Sequence, residues 1–334
     1  MFENNFLYKT TLGKAVVGDS ISLMNHIPDN YIDLIITSPP FALQRQKEYG
    51  NKEQSEYVEW FLLYSSEAKR ILKDSGSFVV DFGGAYKKNI PIRSLYNYRI
   101  LLKMCDKQGW NLSEEFFWFN PAKLPSPIEW VNKRKIRVKD SVNTIWWLSK
   151  TEYPKANTNN VLLPYSERMK KLLENHDNYF TPKMRPSGHD ISSKFSRDNG
   201  GSIPSNLLQI SNTESNSQYL RLCKIMNAKG HPARFPSKLP EFFIKFLTEP
   251  NDLVLDIFAG SNTTGWISEK LNRKWISFEI KHNYLAESVF RFFNNVDEEN
   301  ITKIYNKLIS NENAQLNISE YNYLEKIEFY SQTV

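Results

Sequence analysis

Residues 37–41 read Thr-Ser-Pro-Pro-Phe and directly follow the apolar run YIDLIIT (31–37). Two consecutive prolines lack N–H donors and have a fixed φ, so they neither continue a strand nor enter a helix interior. The stretch predicts a buried strand that stops abruptly in a rigid turn. The Ser38 hydroxyl and the Pro39 carbonyl are then fixed hydrogen-bond acceptors, Pro40 stiffens the turn, and Phe41 presents a flat ring. Acceptors held this way suit an exocyclic amine whose lone pair is conjugated into a ring. Hydrogen bonds on its protons draw the nitrogen toward sp³ and aim it, so orientation and electrostatics supply most of the catalysis. Asp81, in SFVVDFGG (77–84), is the candidate group that orients Ser38 or accepts a proton through it.

A second constellation lies more than two hundred residues later. LDIFAGSNTTGWISEKL (255–271) reads as strand, small-residue turn and helix. Gly260 and Gly265 bracket a turn where backbone approaches a ligand closely, with the helix N–H groups aimed at it. Glu279, 23 residues after Asp256, ends the next strand, where a carboxylate accepts hydrogen bonds from two ribose hydroxyls. The glycine spacing is not GxGxxG. Phe258-Ala259-Gly260-Ser261-Asn262 instead resembles the FxGxG turn of S-adenosylmethionine-dependent methyltransferases, with Asn262 replacing the last glycine. Asn tolerates φ > 0, so the turn survives the exchange.

These groups need a scaffold, and the chain has the length for one. Its 334 residues, 40% apolar and 14% aromatic, suit a folded globular protein. No apolar stretch reaches membrane-spanning length. The start, MFENNFLYKT, carries no basic-then-apolar leader, and a cytoplasmic protein with no membrane partner is expected. Two cysteines and five histidines without ligand spacing argue against a disulfide framework or a metal site. The net charge of +6 is compatible with a polyanionic partner. NKRKIRVK (132–139) concentrates Lys133, Arg134 and Lys135 in one basic run, either a solvated face or a phosphate-binding one.

Residues 1–150 alternate between strand and helix patterns. Strands are expected at 31–37, 77–84, 114–120 and 141–150, and helices at 56–72 and 95–109, with Asp74-Ser75-Gly76 breaking the chain. Alternation resumes from 231, with helices at 239–248, 263–271 and 284–293 and strands at 252–258 and 274–280. This predicts an α/β fold, a mostly parallel sheet with helices on both faces. Residues 151–230 are rich in Asn, Ser, Thr, Lys, Pro and Gly, an irregular ordered module whose amides and bases suit base edges and phosphates. The tail reads as a helix and a loose end. ALQRQKEYGN (42–51) is either a solvent loop or a lid, in which Arg45 and Lys47 meet phosphates.

Together, TSPPF and DIFAGSNTTG resemble the amino-directed DNA methyltransferases, and the SPP(Y/F) form resembles their N4-cytosine branch. The catalytic motif precedes the cofactor motif, as in the β group. GDSISLMNHIPDNYIDLI, SFVVDFGG, HPARFPSKLPEFFI, RPSGHDI and NGGSIPSNLLQIS extend the resemblance over nearly the whole chain. It implies a circularly permuted Rossmann-like domain, with a catalytic half at 1–150, target recognition at 151–230, the S-adenosyl-L-methionine half at 231–295 and a tail at 296–334. It implies that Asp256, Phe258, Ala259, Gly260, Ser261, Asn262, Thr263 and Thr264 bind the cofactor, with Phe258, Gly260, Asn262, Thr263 and Thr264 lining its methionine part, that Glu279 holds the ribose and Asp19 the adenine amino group, and that His231, Pro232 and Phe235 close the pocket. Ser38, Pro39, Pro40 and Phe41 would hold a cytosine flipped from duplex DNA. Arg185 and His189 join the DNA-contact candidates. It further implies a bacterial restriction–modification enzyme without metal, monomeric, with a restriction endonuclease as genetic partner and a CAGCTG-like site.

Other readings stay open on the residues alone. An N6-adenine methyltransferase would share the fold and cofactor site. An RNA methyltransferase and a non-catalytic DNA-binding module remain alternatives. C5-cytosine chemistry needs a nucleophilic cysteine, and neither Cys105 nor Cys223 lies in a catalytic turn.

Overall fold

The computed structural model describes residues 2, 5–41, 54–174, 186, 197–213, 217–293, 297–310 and 314–320. Its strands are β1 (Tyr8–Lys9), β2 (Gly13–Val17), β3 (Ile32–Thr37), β4 (Leu72–Phe82), β5 (Asn111–Phe119), β6 (Val142–Ser149), β7 (Leu207–Gln209), β8 (Leu253–Asp256), β9 (Lys274–Glu279) and β10 (Leu316–Asn317). They form one sheet in the order β10-β1-β2-β9-β8-β3-β4-β6-β5-β7. The central pairs β2·β9, β9·β8, β8·β3 and β3·β4 are all parallel, so the expected mostly parallel sheet is present.

Strand residues alternate between two cores, as the period of two requires. Ile35, Phe78, Val80 and Trp146 face one side, and Leu34, Ile36, Val79 and Trp147 the other. Helices α1 (Ser20–Met24), α2 (Gln54–Ile71) and α3 (Tyr96–Gln108) border the first core. After α4 (Glu167–Glu174) and α5 (Gln218–Ile225), α6 (Lys238–Leu247) and α7 (Thr263–Lys270) cover the second, with Phe243, Ile244 and Ile267 buried. Burying each such side chain contributes about 1.5–3 kcal/mol.

Strands β3 and β8 lie side by side, and the chain winds outward from them in opposite directions. That is a topological switch point, where ligands bind beyond the strands' carboxyl ends. The half that begins with β3 and β4 carries Ser38, and the half that begins with β8 and β9 carries Gly260.

Three local expectations change. The strand expected at 141–150 pairs antiparallel with both β4 and β5. Residues 120–141 return the chain at the same end of β5, so this connection is a wide hairpin rather than a crossover. Asp74-Ser75-Gly76 does not break the chain: α2 runs straight into β4, and the β3 ladder slips between Leu72 and Ser77. The tail forms its expected helix, α9 (Glu298–Ser310), which buries Ile301, Ile304 and Leu308 beside Trp275 and Phe290, near α8 (His282–Ser288), but the stretch after it is not loose where it is described, since β10 pairs with β1. The short elements β1, β2 and α1 had no clear sequence pattern.

Candidate active site

A cavity of about 790 Å³ opens beyond the carboxyl ends of β3, β4, β8 and β9. This lies in the range of ligand sites. The two sequence constellations meet in it, and a buried hydrogen bond joins them. Thr37 at the end of β3 donates its hydroxyl to Asp256 Oδ1 at 2.7 Å. The Phe258 N–H donates to the same oxygen at 3.0 Å, and the Thr264 hydroxyl to Oδ2 at 2.7 Å. Asp256 borders the cavity, but both its oxygens are engaged in holding the turns together. Burial raises its pKa, and these donors oppose the shift.

The cofactor-side turn is built around a left-handed residue. Asn262 caps α7 at φ 52°, as its type allows. Its Oδ1 accepts the Gly265 N–H at 3.1 Å and the Ser277 hydroxyl at 2.6 Å, while Nδ2 donates to Tyr8 at 2.9 Å. Asn262 and Thr264 were expected to line the cavity. Neither does, because their side chains are spent on the cap and on Asp256. Phe258, Ala259, Gly260, Ser261 and Thr263 do line it. The buried Arg291 fixes Ser261, donating to its carbonyl at 2.7 Å and its hydroxyl at 3.0 Å.

Gly260 has φ 51°, and a Cβ there would sit 3.0 Å from the His231 ring, which arches over the turn. His231, Pro232 and Phe235 line this side of the cavity. The Tyr219 hydroxyl accepts the His231 N–H at 2.9 Å. Glu279 accepts the Gly260 N–H at 2.8 Å and the Lys281 N–H at 2.9 Å. Burial raises its pKa, against the pull of those amides. Asp19 sits at the rim and caps α1 by accepting the Ser22 N–H at 3.0 Å.

Sequence reasoning missed the aromatic wall. Trp60 and Tyr64, one turn apart on α2, pack against Phe258 at 5.8 and 4.9 Å between ring centres. Burial pushes the Tyr64 hydroxyl up to about 12, with Asp19 adding to the shift. Their i, i+4 spacing was visible, but a core pair looks the same.

At the other end, the Ser38 hydroxyl donates to Asp81 Oδ2 at 3.2 Å. Burial pushes Asp81 up to about 7, while Asn143, Ser38 and the charge of Lys123 pull it back. Pro39, Pro40 and Phe41 line the wall. A Cβ on Gly83 would fall 2.2 Å from the Phe41 ring, so the glycine after β4 makes room for that ring. Trp118, Asn120, Lys123, Ser141, Asn143 and Asn212 complete this end. None stood out in the sequence, since all come from the β5–β6 hairpin and the segment after β7.

The described DNA-contact candidates, Lys133, Arg134 and Lys135, fall outside the cavity. Lys133 and Arg134 pair with Glu129 at 3.2 and 3.0 Å, and Arg134 covers Trp130. Lys135 is exposed beside them. Arg45, Lys47, Arg185 and His189 lie outside the described residues, as does the expected 42–51 lid. Among the described residues no helix is long and apolar enough to cross a membrane, and no three His, Cys, Asp or Glu side chains cluster to hold a metal.

The donor set fits an adenosyl sulfonium. A Cβ at Gly260 would crowd the His231 ring at 3.0 Å, Glu279 and Asp19 offer carboxylates, and Trp60, Tyr64 and Phe258 supply aromatic faces for a nucleoside or a cation.

A DNA methylase family model matches residues 32–290. The chain is 63% identical over 311 residues to the Type II methyltransferase M.PvuII of Proteus hauseri, covering 93% of each. It is 25% identical to M.BglII of Bacillus subtilis, over 83% of this chain and 68% of that one. Among solved structures it resembles the PvuII DNA methyltransferase (cytosine-N4-specific), with a TM-score of 0.78 and 53% identity over 96% and 99% of the two chains. A Thermus thermophilus protein solved with S-adenosyl-L-methionine shares the fold alone, at a TM-score of 0.51 and 16% identity, over 84% and 93%. With the family model spanning both halves of the sheet and the cavity between them, the chain belongs to the DNA methylase family.

Proposed function

We propose that the chain is a site-specific DNA methyltransferase that methylates N4 of a cytosine flipped out of duplex DNA. The observation that carries this is one cavity shared by the Ser38–Asp81 pair and the Gly260–Glu279 turn, joined through Thr37 and Asp256. The similarity to the cytosine-N4-specific PvuII enzyme supports the choice of base.

S-adenosyl-L-methionine, when bound, supplies an electrophilic methyl group on sulfur. Phe258, Gly260, Ser261 and Thr263 would hold its amino-acid part, Glu279 its ribose and Asp19 its adenine. The chain's own work is at the amine. Phe41 stacks on the flipped base, and Ser38 Oγ with the Pro39 carbonyl accepts its amino hydrogens. As the nitrogen gains its methyl it must lose a proton. Ser38 Oγ takes that proton while passing its own to Asp81 Oδ2. Burial keeps water from the amine, and the acceptors are preorganised where charge develops.

On this reading, residues 1–150 and 231–295 form the catalytic domain and 151–230 reads the target. Lys133, Arg134, Lys135, Arg45, Lys47, Arg185 and His189 meet the DNA, and 296–334 forms the tail. The protein acts as a monomer in the bacterial cytoplasm, protecting a CAGCTG-like site from a cognate endonuclease that is its genetic partner.

The test is to incubate the protein with duplex DNA and labelled S-adenosyl-L-methionine, then digest to nucleosides. Label in N4-methylcytosine is the expected result. Label in N6-methyladenine overturns the base assignment and keeps the site; no label on any duplex overturns the reading.

A further inference from the structure

The segment 120–141 between β5 and β6 supplies three groups to the base end of the cavity at its two roots, Asn120 and Lys123 on one side and Ser141 on the other, and Asn143 follows at the start of β6. Between those roots it is a braced structure. The Asn120 N–H donates to the Ser141 carbonyl at 2.9 Å and the Asp140 N–H to the Ser126 carbonyl at 3.0 Å. Lys139 crosses from one arm to the other, donating to the Pro121 carbonyl at 3.0 Å. Trp130 is buried, and its carbonyl accepts the Ile136 N–H at 2.9 Å. From outside, Arg137 donates to the Pro91 carbonyl at 2.7 Å, and Arg93 pairs with Asp140.

Two side chains stand out from this arrangement. Leu124, next to Lys123, is 81% exposed, and Val138, next to the crossing Lys139, is 87% exposed. Among the described residues only Tyr153, beyond the far end of β6, is another large apolar side chain as exposed as these. In the sequence the apolar pair is flanked by Lys123, Lys133, Arg134, Lys135, Arg137 and Lys139. A braced loop that exposes two aliphatic groups among cations is complementary to one kind of surface, a polyanion with an apolar interior.

A flipped base leaves a gap in the stack, and holding the duplex open costs unstacking energy unless something fills it. Apolar wedges between base steps are the general solution. We propose that Leu124 and Val138 are the wedge, entering the duplex beside the cytosine that occupies the cavity while the surrounding cations hold its phosphates. This rests on the reading of the site as one that methylates a flipped base. The roots fix the spacing: the same short segment that lines the base pocket carries the wedge, so extrusion and capture are coupled.

The test uses the full chain with Leu124→Ala and Val138→Ala combined. Both side chains are exposed, so the fold should be unaffected, and a matching thermal melt checks this. Turnover is measured on duplexes carrying the wild-type target site, once with the target cytosine opposite guanine and once opposite an abasic position. A third duplex carries 2-aminopurine at the target position to report flipping by fluorescence, without turnover. The expected result is a loss on the order of tenfold or more on the paired duplex, a smaller fluorescence rise, and near wild-type turnover on the abasic duplex, where less unpairing and unstacking is required. Equal losses on both duplexes overturn the wedge in favour of a general binding role, and wild-type behaviour on the paired duplex overturns it outright. If the wild-type protein itself methylates no duplex, the underlying function fails, and that outcome is distinct from a wedge defect.

Discussion

Asn143 Nδ2 donates to both oxygens of the Asp81 carboxylate, at 3.0 Å to Oδ1 and 3.4 Å to Oδ2. Oδ2 is also the oxygen that accepts the Ser38 hydroxyl. The amide therefore sets the carboxylate plane, and through it the direction of the serine. Two adjacent strands with opposite directions, β4 and β6, make this possible.

The first prediction concerns pH. Asp81 accepts a proton only when ionised, and burial holds its pKa up to about 7. Turnover should therefore rise with pH through that region. Asn143→Ala removes a donor that pulls the pKa down, so the rising limb should move to higher pH, with S-adenosyl-L-methionine affinity little changed. A pH profile of kcat on saturating DNA checks it; an unmoved limb would show that Asn143 does not set Asp81.

The same group shapes stability. Its folded pKa of about 7 lies above the ordinary 3.8, so between those values the native protein holds a proton that the unfolded chain has released. Stability from this source is full below about pH 4 and is lost as pH rises toward 7. Glu287, also pushed up to about 7 by burial, adds to the same trend. Asp81→Asn should shrink the fall in urea midpoint between pH 4.5 and 7.5 while abolishing most turnover. An unchanged difference would place the pH dependence elsewhere.

Asn262 tests the turn. Its side chain makes three buried hydrogen bonds at a left-handed φ. Asn262→Gly keeps the backbone and leaves partners unsatisfied, costing about 1–3 kcal/mol. Asn262→Ala adds the strain of a Cβ at positive φ, roughly 1 kcal/mol more. Denaturant melts of the two variants should separate in that order; equal stabilities would show that the turn relaxes without the left-handed residue.

The sheet and both motifs were legible because each is local. A buried run ending in Pro-Pro, and a strand–turn–helix with an acid at the next strand end, carry their meaning in consecutive residues. Asn143, Lys123 and Trp60 do not. Asn143 matters only because β6 runs antiparallel to β4, and residues 120–141 contain no pattern that distinguishes a wide hairpin from a crossover. Asn262 was half legible: its type announced a left-handed turn, but whether its amide faced ligand or core depended on Tyr8 and Ser277, from distant strands.

Ser38 and Glu279 lie at opposite ends of one cavity, so their losses should separate. Ser38→Ala removes an acceptor that works on the amine in the transition state, and turnover should fall by about 10²–10³. It leaves the Gly260 turn intact, so binding of S-adenosyl-L-methionine should be unchanged. Glu279→Ala removes a carboxylate whose hydrogen bonds to a ligand are charge-assisted, worth about 1.5–3 kcal/mol, so affinity should drop by roughly ten- to a hundredfold. It also leaves the Gly260 and Lys281 amides without their acceptor, so a thermal melt must show that the variant is folded. Calorimetry for the cofactor and single-turnover methylation for the amine read the two effects independently. Near-normal turnover in the serine variant would remove the acceptor role, and unchanged affinity in the glutamate variant would remove the ribose assignment while leaving the serine chemistry standing.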